Sequence, residues 1–215
     1  GVISIPLQFE AYESYFIIFN KEENSSLSKG ERNFHPKIEA GTIEGSWDVS
    51  FDPKWGGPGM VRFDQLEDWI TRPEEGIKYY SGTAVYHKTF DCDMAGKDGK
   101  LFMDFGIVNY MARVKLNGKD LGIIWTTPWQ VEITDAVEEK NNELEIEVVN
   151  LWANRLIGDE AFAEDGIVDG KWPEWVVNEK PIPGKRYTFT SWKHYTVDSP
   201  LLSSGLLGPV SILKQ

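Results

Sequence analysis

The feature that most restricts the fold of this chain is an alternation of apolar and polar residues in short runs, separated by turn-forming residues. In NNELEIEVVN (141–150), three aliphatic residues alternate with three glutamates. GSWDVSF (45–51) likewise has Trp47, Val49 and Phe51 two positions apart. Because successive side chains of a β-strand point to opposite faces, this period of two predicts strands that bury one face and expose the other.

Similar runs recur along the chain, and a hairpin signal lies between two of them. The further strand candidates are TAVYHKTF, KLFMDF, ARVKL, WQVEITD, RYTFTSW and GPVSILK. Asn117 and Gly118 follow ARVKL directly. An Asn-Gly pair can supply the two positive φ angles of a type I′ turn, so we expect a tight β-hairpin at this point.

Helix signals are scarce. FDQLEDWI (63–70) offers Asp64 as an N-cap and Glu67 as its capping-box partner, and Arg72-Pro73 would end that helix. Many short antiparallel strands with turn signals between them, and so little helix, predict an all-β fold. We expect an antiparallel β-sandwich of two sheets with one or two short helices.

The composition of the N-terminal part predicts two unequal segments. Residues 7–19 are rich in strand-forming apolar and aromatic residues, whereas 20–37 are polar and turn-rich. We therefore interpret residues 1–37 as terminal strands of a preceding domain plus a linker, and 38–215 as the β-sandwich. The chain also opens without an initiating Met. We expect it to be a piece of a longer protein.

Charge and composition exclude several function classes. The formal net charge of −12 and the pI of about 4.7 argue against nucleic acid or an anionic membrane surface as a partner. No apolar run approaches the roughly 18 residues of a membrane span. Cys92 is the only cysteine, so no internal disulfide can form.

No cofactor is expected from the sequence. The three histidines are far apart and lack the spacing of zinc ligands. The segment DCDMAGKDGKLF begins like a calcium loop but has Ala95 and Phe102 where liganding side chains are required. A structural calcium ion held elsewhere by loop carbonyls stays open as an alternative.

The stretch NLWANRLIGDE (150–160) concentrates polar residues behind a strand, in the second of two long insertions, 52–82 and 152–183. We consider three interpretations. Asp159 and Glu160, with Asp165, Asp169 or Glu174 on the same insertion, could supply the carboxylates for glycoside hydrolysis, which needs two about 5–10 Å apart, although 34 acidic residues make chance candidates common. The stretch could bind sugar. Alternatively, Arg155 forms a buried ion pair with one of these acids and fixes the loop.

Tryptophans are the other candidates for function. Those at strand ends or in the second insertion are Trp125, Trp129, Trp152, Trp172, Trp175 and Trp192. A flat indole can cover the C–H face of a pyranose, while Arg155 offers five donors in a fixed fork to its hydroxyls. The alternative is that most of these rings only fill the core of the sandwich.

Several long motifs carry a resemblance to a known family. They are GSWDVSFDPKWGGP, IKYYSGTAVY, VKLNGKDLGIIW, VEITDAV, NLWANRLIGDE and RYTFTSWKHYT, and they lie within about residues 43–213. In this order they resemble the C-terminal part of glycoside hydrolase family 106, the α-L-rhamnosidase-type enzymes of gut and soil bacteria. Residues 1–20 are similar to the final strands of the domain that precedes this part.

The resemblance implies a galactose-binding-domain-like jelly roll, akin to the sugar-binding domains of family 2 hydrolases. It also implies catalytic carboxylates on an upstream barrel domain, so no catalytic residue is assigned here. Asn154, Arg155, Gly158, Asp159 and Glu160 look like family-shared positions without an assignable role. A periplasmic or extracellular location is implied as well.

We therefore predict a non-catalytic accessory module of a bacterial glycoside hydrolase acting on plant-type polysaccharide. Its expected partners are the upstream catalytic domain and carbohydrate. The alternatives are an independent carbohydrate-binding module and, more remotely, a self-contained hydrolase. The residues expected to bind carbohydrate or contact the neighbouring domain are Trp152, Asn154, Arg155, Asp159, Glu160, Trp172, Trp192 and His194.

Overall fold

The computed structural model describes residues 4–9, 11–19, 35–162, 167 and 169–215. Within them the chain forms twelve strands: β1 (Ile38–Thr42), β2 (Trp47–Phe51), β3 (Gly59–Phe63), β4 (Thr83–Phe90), β5 (Leu101–Asp104), β6 (Ile107–Asn109), β7 (Met111–Leu116), β8 (Lys119–Ile124), β9 (Gln130–Glu132), β10 (Asn142–Val149), β11 (Gly205–Gly208) and β12 (Ser211–Lys214). The described residues also form three α-helices, α1 (Glu75–Lys78), α2 (Ala153–Asp159) and α3 (Glu174–Val177), and two 3-10 helices, Pro53–Trp55 and Trp69–Thr71.

The strands form three antiparallel sheets. The largest has six strands in the order β3-β2-β4-β10-β7-β8. A second sheet has the order β1-β12-β5-β9, and β11 pairs with β6 in a small third sheet. Every pairing between named strands is antiparallel. The predicted all-β, antiparallel class is confirmed.

The core is one contiguous apolar cluster with residues from both larger sheets. Trp47, Val49 and Phe51 of β2 are buried, as the alternating pattern predicts. Met103 of β5 and Ile212 of β12 join the same cluster from the other sheet. Burying each large apolar side chain contributes about 1.5–3 kcal/mol, so the period-two pattern supplies the main force that holds the sandwich together.

The Asn-Gly hairpin is also confirmed. Asn117 and Gly118 have φ angles of 51° and 76°, and they join β7 to β8. The Asn117 side chain donates to the Ala136 carbonyl (2.8 Å) and to Asn142 Oδ1 (2.9 Å), and its own Oδ1 accepts from Glu143 N (2.8 Å). The turn is therefore tied to the start of β10.

Charged residues cover the outer face of the six-stranded sheet. Lys115 Nζ lies 2.6 Å from Glu145 Oε1 and 2.7 Å from Glu147 Oε1. Arg113 pairs with Asp120 at 2.6 Å. This face is typical of a sheet that has one side in water.

The prediction of a helix over FDQLEDWI is wrong. In the structure no helix begins at Asp64, and a short 3-10 helix forms at Trp69 instead, with Asp68 as its N-cap. The indole of Trp69 is buried and donates to Tyr86 Oη (2.6 Å). Asp68 Oδ1 also accepts from Ser204 N (2.9 Å). These long-range contacts fix the segment against the core and override its local helix preference.

Two other segments differ from expectation. RYTFTSW (186–192) forms no strand, because the backbone N–H groups of Tyr187 and Thr188 donate to the Asp159 carboxylate instead of to a neighbouring strand. In the described parts of 4–19 no strand forms either. A strand needs a hydrogen-bonded neighbour. The division at residue 37 into a preceding domain and a sandwich stays a prediction.

NLWANRLIGDE contains a helix where a loop was expected, since all of α2 lies within it. The polar residues of α2 point inward: Asn154, Arg155 and Asp159 are buried, whereas Trp152 at its N-terminal end is exposed. Helix α2 therefore supports the segments that pack around it.

Candidate functional site

The candidate site is built around α2, at the end of the sandwich where β10 leaves its sheet. Asn154 connects the start of the helix to the segment before β11. Its Nδ2 donates to the Leu202 carbonyl (2.7 Å) and to Ser204 Oγ (2.9 Å), while its Oδ1 accepts from Leu202 N (2.8 Å). All its polar atoms are used inside the protein, and the residue is buried.

Asp159 connects the C-terminal end of the helix to another segment in the same way. The residue is fully buried, and its Oδ2 accepts hydrogen bonds from Tyr187 N (2.9 Å), Thr188 N (2.7 Å) and Thr188 Oγ1 (2.7 Å). The other oxygen, Oδ1, lies 3.8 Å from Arg155 Nη1, which makes an ion pair without a hydrogen bond. The ion-pair interpretation of the motif is therefore the arrangement observed.

Arg155 is a buried cation with few partners. Its Nη2 donates to the Trp55 carbonyl (3.1 Å), and its guanidinium lies 4.7 Å from the centre of the Tyr187 ring. Among the described residues, its Nε has no hydrogen-bond acceptor. Burial lowers the pKa of Arg155, and the negative charge of Asp159 opposes this effect. The guanidinium is thus desolvated but incompletely satisfied.

Glu160 is held by two cations. Its carboxylate lies 3.2 Å from Arg186 Nη2 and 3.3 Å from Lys193 Nζ. Arg186 in turn donates to the main-chain carbonyl of Asp159 (3.0 Å). Asp159 and Glu160, two of the acids that the sequence offered for catalysis, are consequently occupied in holding the segment 186–193 against α2.

The structure brings Trp152 together with an aromatic residue from the first insertion. The rings of Trp55 and Trp152 meet edge to face, with centroids 5.8 Å apart and an interplanar angle of 86°. Their side chains are 43% and 52% exposed. This exposed pair, the Trp55–Trp152 pair below, lies on the Arg155 side of the helix, since Arg155 binds the Trp55 carbonyl.

The other predicted aromatic positions contact different neighbours. Trp172 packs against Phe189 with centroids 5.7 Å apart. Trp192 is 71% exposed, and the His194 ring lies 6.5 Å from that of Tyr195. Their roles in carbohydrate binding stay predictions.

An open cleft of about 620 Å³ adjoins α2, and we refer to it as the α2 cleft. Its lining residues include Arg155, Tyr79, Tyr187, Lys185 and Glu75. Two glycines allow the tyrosines to approach so closely. A Cβ on Gly56 would lie 2.8 Å from the Tyr187 ring, and one on Gly158 would lie 2.6 Å from Tyr79 Cγ.

Sequence reasoning missed part of this site. Trp55, Tyr79, Tyr187 and Arg186 all border α2 although they are remote in sequence. The signals that could have found two of them are the W-G-G-P turn that carries Trp55 and the aromatic run that carries Tyr187.

Neither a metal centre nor a membrane helix is found in the described parts of the chain. No three His, Cys, Asp or Glu side chains there are grouped so that they could hold a metal ion. Nor does any helix among those residues have both the length and the apolar character to cross a membrane.

Comparison with known proteins identifies the family of this module. A model described as "Glycosyl hydrolase 2 galactose-binding domain-like" matches residues 66–182, which is more than half of the chain. The chain belongs to this galactose-binding domain-like family. The predicted galactose-binding-domain-like sandwich is therefore confirmed, as is its relation to glycoside hydrolases.

Individual relatives are much longer than this chain. A protein of Formosa agariphila, provisionally named as a β-glucuronidase, is 42% identical over 196 residues, which cover 84% of this chain but 17% of that protein. The structure of a rhamnosidase from Novosphingobium sp. PP1Y matches with a TM-score of 0.71 and 31% identity, over 89% of this chain and 16% of that one. The chain therefore spans less than a fifth of either protein.

A β-glucuronidase from Ruminococcus gnavus, solved with D-glucuronic acid, shares the fold at a TM-score of 0.50 and 14% identity. That match covers 87% of this chain and 31% of the other. At this identity the match shows a shared fold, and this chain again spans only part of the other protein.

Proposed function

We propose that this chain is a non-catalytic module of a larger bacterial glycoside hydrolase that acts on plant-type polysaccharide. The parent enzyme would be α-L-rhamnosidase-like, of the family 106 type, and exported to the periplasm or beyond the cell. The observation that carries the proposal is the use of Asp159 and Glu160 as structural anchors, together with the match to an enzyme named a rhamnosidase.

The chemistry of glycoside cleavage explains why these anchors matter. One carboxyl group must reach the glycosidic oxygen, and a second must reach the anomeric carbon or a water beside it. Asp159 is fully buried, and one of its oxygens already accepts three hydrogen bonds. Glu160 is bound to Arg186 and Lys193. Neither group is free to move a proton at a sugar, so the reaction centre would lie in another domain.

The N-terminal segment supports an upstream partner. Phe16 and Ile18 are 95% and 80% exposed, in a stretch of 11–19 that forms no strand. Large apolar side chains in such numbers are seldom left in water by an isolated domain. The preceding catalytic domain is the partner we propose for this segment.

A hydrolysis assay tests the proposal. The isolated 215-residue chain is incubated with aryl α-L-rhamnosides and aryl β-D-glucuronides, and no turnover above background is expected. Turnover that disappears in Glu160→Gln, while the circular dichroism spectrum stays that of the parent, would refute a non-catalytic role. Glu143→Gln is the matched control, since Glu143 is an exposed acid on β10, outside the insertion that carries the candidate carboxylates.

A second candidate function, independent carbohydrate binding, is favoured by the Trp55–Trp152 pair. Two partly exposed indoles that fix each other edge to face form a rigid platform for the C–H face of a pyranose. Calorimetry with a panel of plant oligosaccharides would measure this binding. Trp55→Ala and Trp152→Ala are expected to weaken it, whereas Trp125→Ala, an exposed indole beyond the end of β8, leaves it unchanged.

A further inference from the structure

We propose that the α2 cleft binds the carboxylate-bearing ring of an acidic sugar, a hexuronic acid unit of a polysaccharide. This inference rests on the proposed function, because it assigns a ligand class to the surface that the module would turn toward its polysaccharide. The volume of the α2 cleft, about 620 Å³, lies in the range of roughly 300–1,000 Å³ that is usual for small-molecule sites.

Cations outnumber acids among the described residues that line the cleft. Arg155, Lys185 and Arg186 line it, and of the lining residues that the structure describes only Glu75 is acidic. The whole chain carries a formal charge of −12. Asp159 and Glu160 offset part of this charge from outside the lining, because they pair with Arg155 and Arg186. A lining that itself presents three cations and one acid, on an acidic protein, favours an anionic ligand.

The carboxylate has a specific partner in Arg155. This residue is only 6% exposed, and its Nη1 is 3.8 Å from the Asp159 oxygen, beyond hydrogen-bond reach. Its Nε is buried more deeply and has no acceptor among the residues that the structure describes. Burying donors without acceptors is costly, and a carboxylate is the acceptor that a guanidinium fork fits best. Asp159 cannot fill this role more fully, because its other oxygen holds the backbone of Tyr187 and Thr188.

The walls of the cleft fit the rest of a sugar ring. Tyr79 and Tyr187 on the lining are aromatic and carry a hydroxyl each, and Glu75, also on the lining, can accept a hydrogen bond. Gly56, which follows Trp55, also lines the cleft. A polysaccharide with one ring in the cleft could therefore continue across the Trp55–Trp152 pair.

Matched sugar pairs test the ligand class. The full chain is titrated by NMR with sodium glucuronate against glucose, and with sodium galacturonate against galactose, since each pair differs only in the carboxylate. We expect saturable shifts with the uronates and at least tenfold weaker binding of the neutral sugars. Binding should weaken as sodium chloride is raised, because the contact is ionic. Equal affinities for acid and neutral sugars, or no saturable shifts, would overturn the proposal.

A third ligand separates a sugar site from a simple anion site. Sodium acetate carries the carboxylate without the ring, and we expect it to bind at least tenfold more weakly than glucuronate. If acetate binds as tightly, the walls contribute nothing and the site does not recognise a sugar.

Variants locate the binding. Ala161 is an exposed residue on the cleft lining, so Ala161→Trp should fill the cleft and abolish uronate binding. Lys185→Ala should weaken binding severalfold, whereas Lys180→Ala, an exposed lysine outside the lining, should not. Retained binding in a folded Ala161→Trp protein would contradict the assignment. Failure of these tests leaves the non-catalytic role intact, since only the hydrolysis assay addresses that role.

Discussion

Replacement of Asp159 by Asn probes the contact that organises the candidate site. The change keeps the shape of the side chain and removes its charge. Asn could still accept from Tyr187 and Thr188, but its amide donors would face Arg155. The guanidinium would then be a buried charge without a counter-ion, which typically costs about 3–5 kcal/mol.

The expected effect on thermal stability follows from the size of the protein. For a domain of 150–250 residues, 1 kcal/mol shifts the Tm by about 2–4 °C. Asp159→Asn should therefore lower the Tm by about 6–20 °C, as measured by differential scanning calorimetry at neutral pH. Glu174→Gln removes an exposed acid of the same insertion and should change the Tm by less than about 2 °C.

A Tm of Asp159→Asn that falls within about 2 °C of the parent would refute the reasoning, because it would mean that Arg155 gains nothing from this carboxylate. If the Tm of Glu174→Gln fell as far as that of Asp159→Asn, the reasoning would also be contradicted. The loss of stability would then follow from removing any acidic side chain rather than from breaking the buried ion pair.

Two further substitutions test other contacts. Gly158→Ala forces a Cβ to within 2.6 Å of Tyr79 Cγ and should cost about 1–3 kcal/mol in urea unfolding, whereas Gly41→Ala, with no atom within 4 Å, should be near neutral. Hydrogen bonding to Arg72 holds the pKa of Glu74 below its ordinary value of 4.5. A lowered carboxyl pKa stabilises the folded state above that value, so the Tm deficit of Glu74→Gln should be largest near neutral pH and shrink as pH falls below 4.5. A deficit that grows in acid would contradict this sign.

The sandwich could be predicted from the sequence because its signals are local. In β2, and from Leu144 to Val148 in β10, every second residue is apolar and buried. The Asn117-Gly118 turn likewise depends only on the backbone freedom of two neighbours. The Asp64 helix failed for the opposite reason, since the burial of Trp69 beside a distant part of the chain decides the path of that segment.

The site was harder to predict than the sheets. Helix α2 has no apolar stripe to reveal it: its interior face carries Asn154, Arg155 and Asp159, and these face partners about 30–100 positions away. Periodicity reports only which residues are apolar, so a helix with a polar interior face reads as a loop. The contact between Arg155 and Trp55 joins two insertions that no spacing rule connects.

The paired charges on the outer face of the six-stranded sheet also restrict which side of such a module can pack against another domain. Lys115 bridges two glutamates there, and Arg113 holds Asp120. A protein covering this side would have to strip water from all five groups, a desolvation cost that their mutual attraction repays poorly. A larger enzyme carrying this module would therefore keep that side turned outward, which limits the orientations open to the α2 end before any ligand arrives.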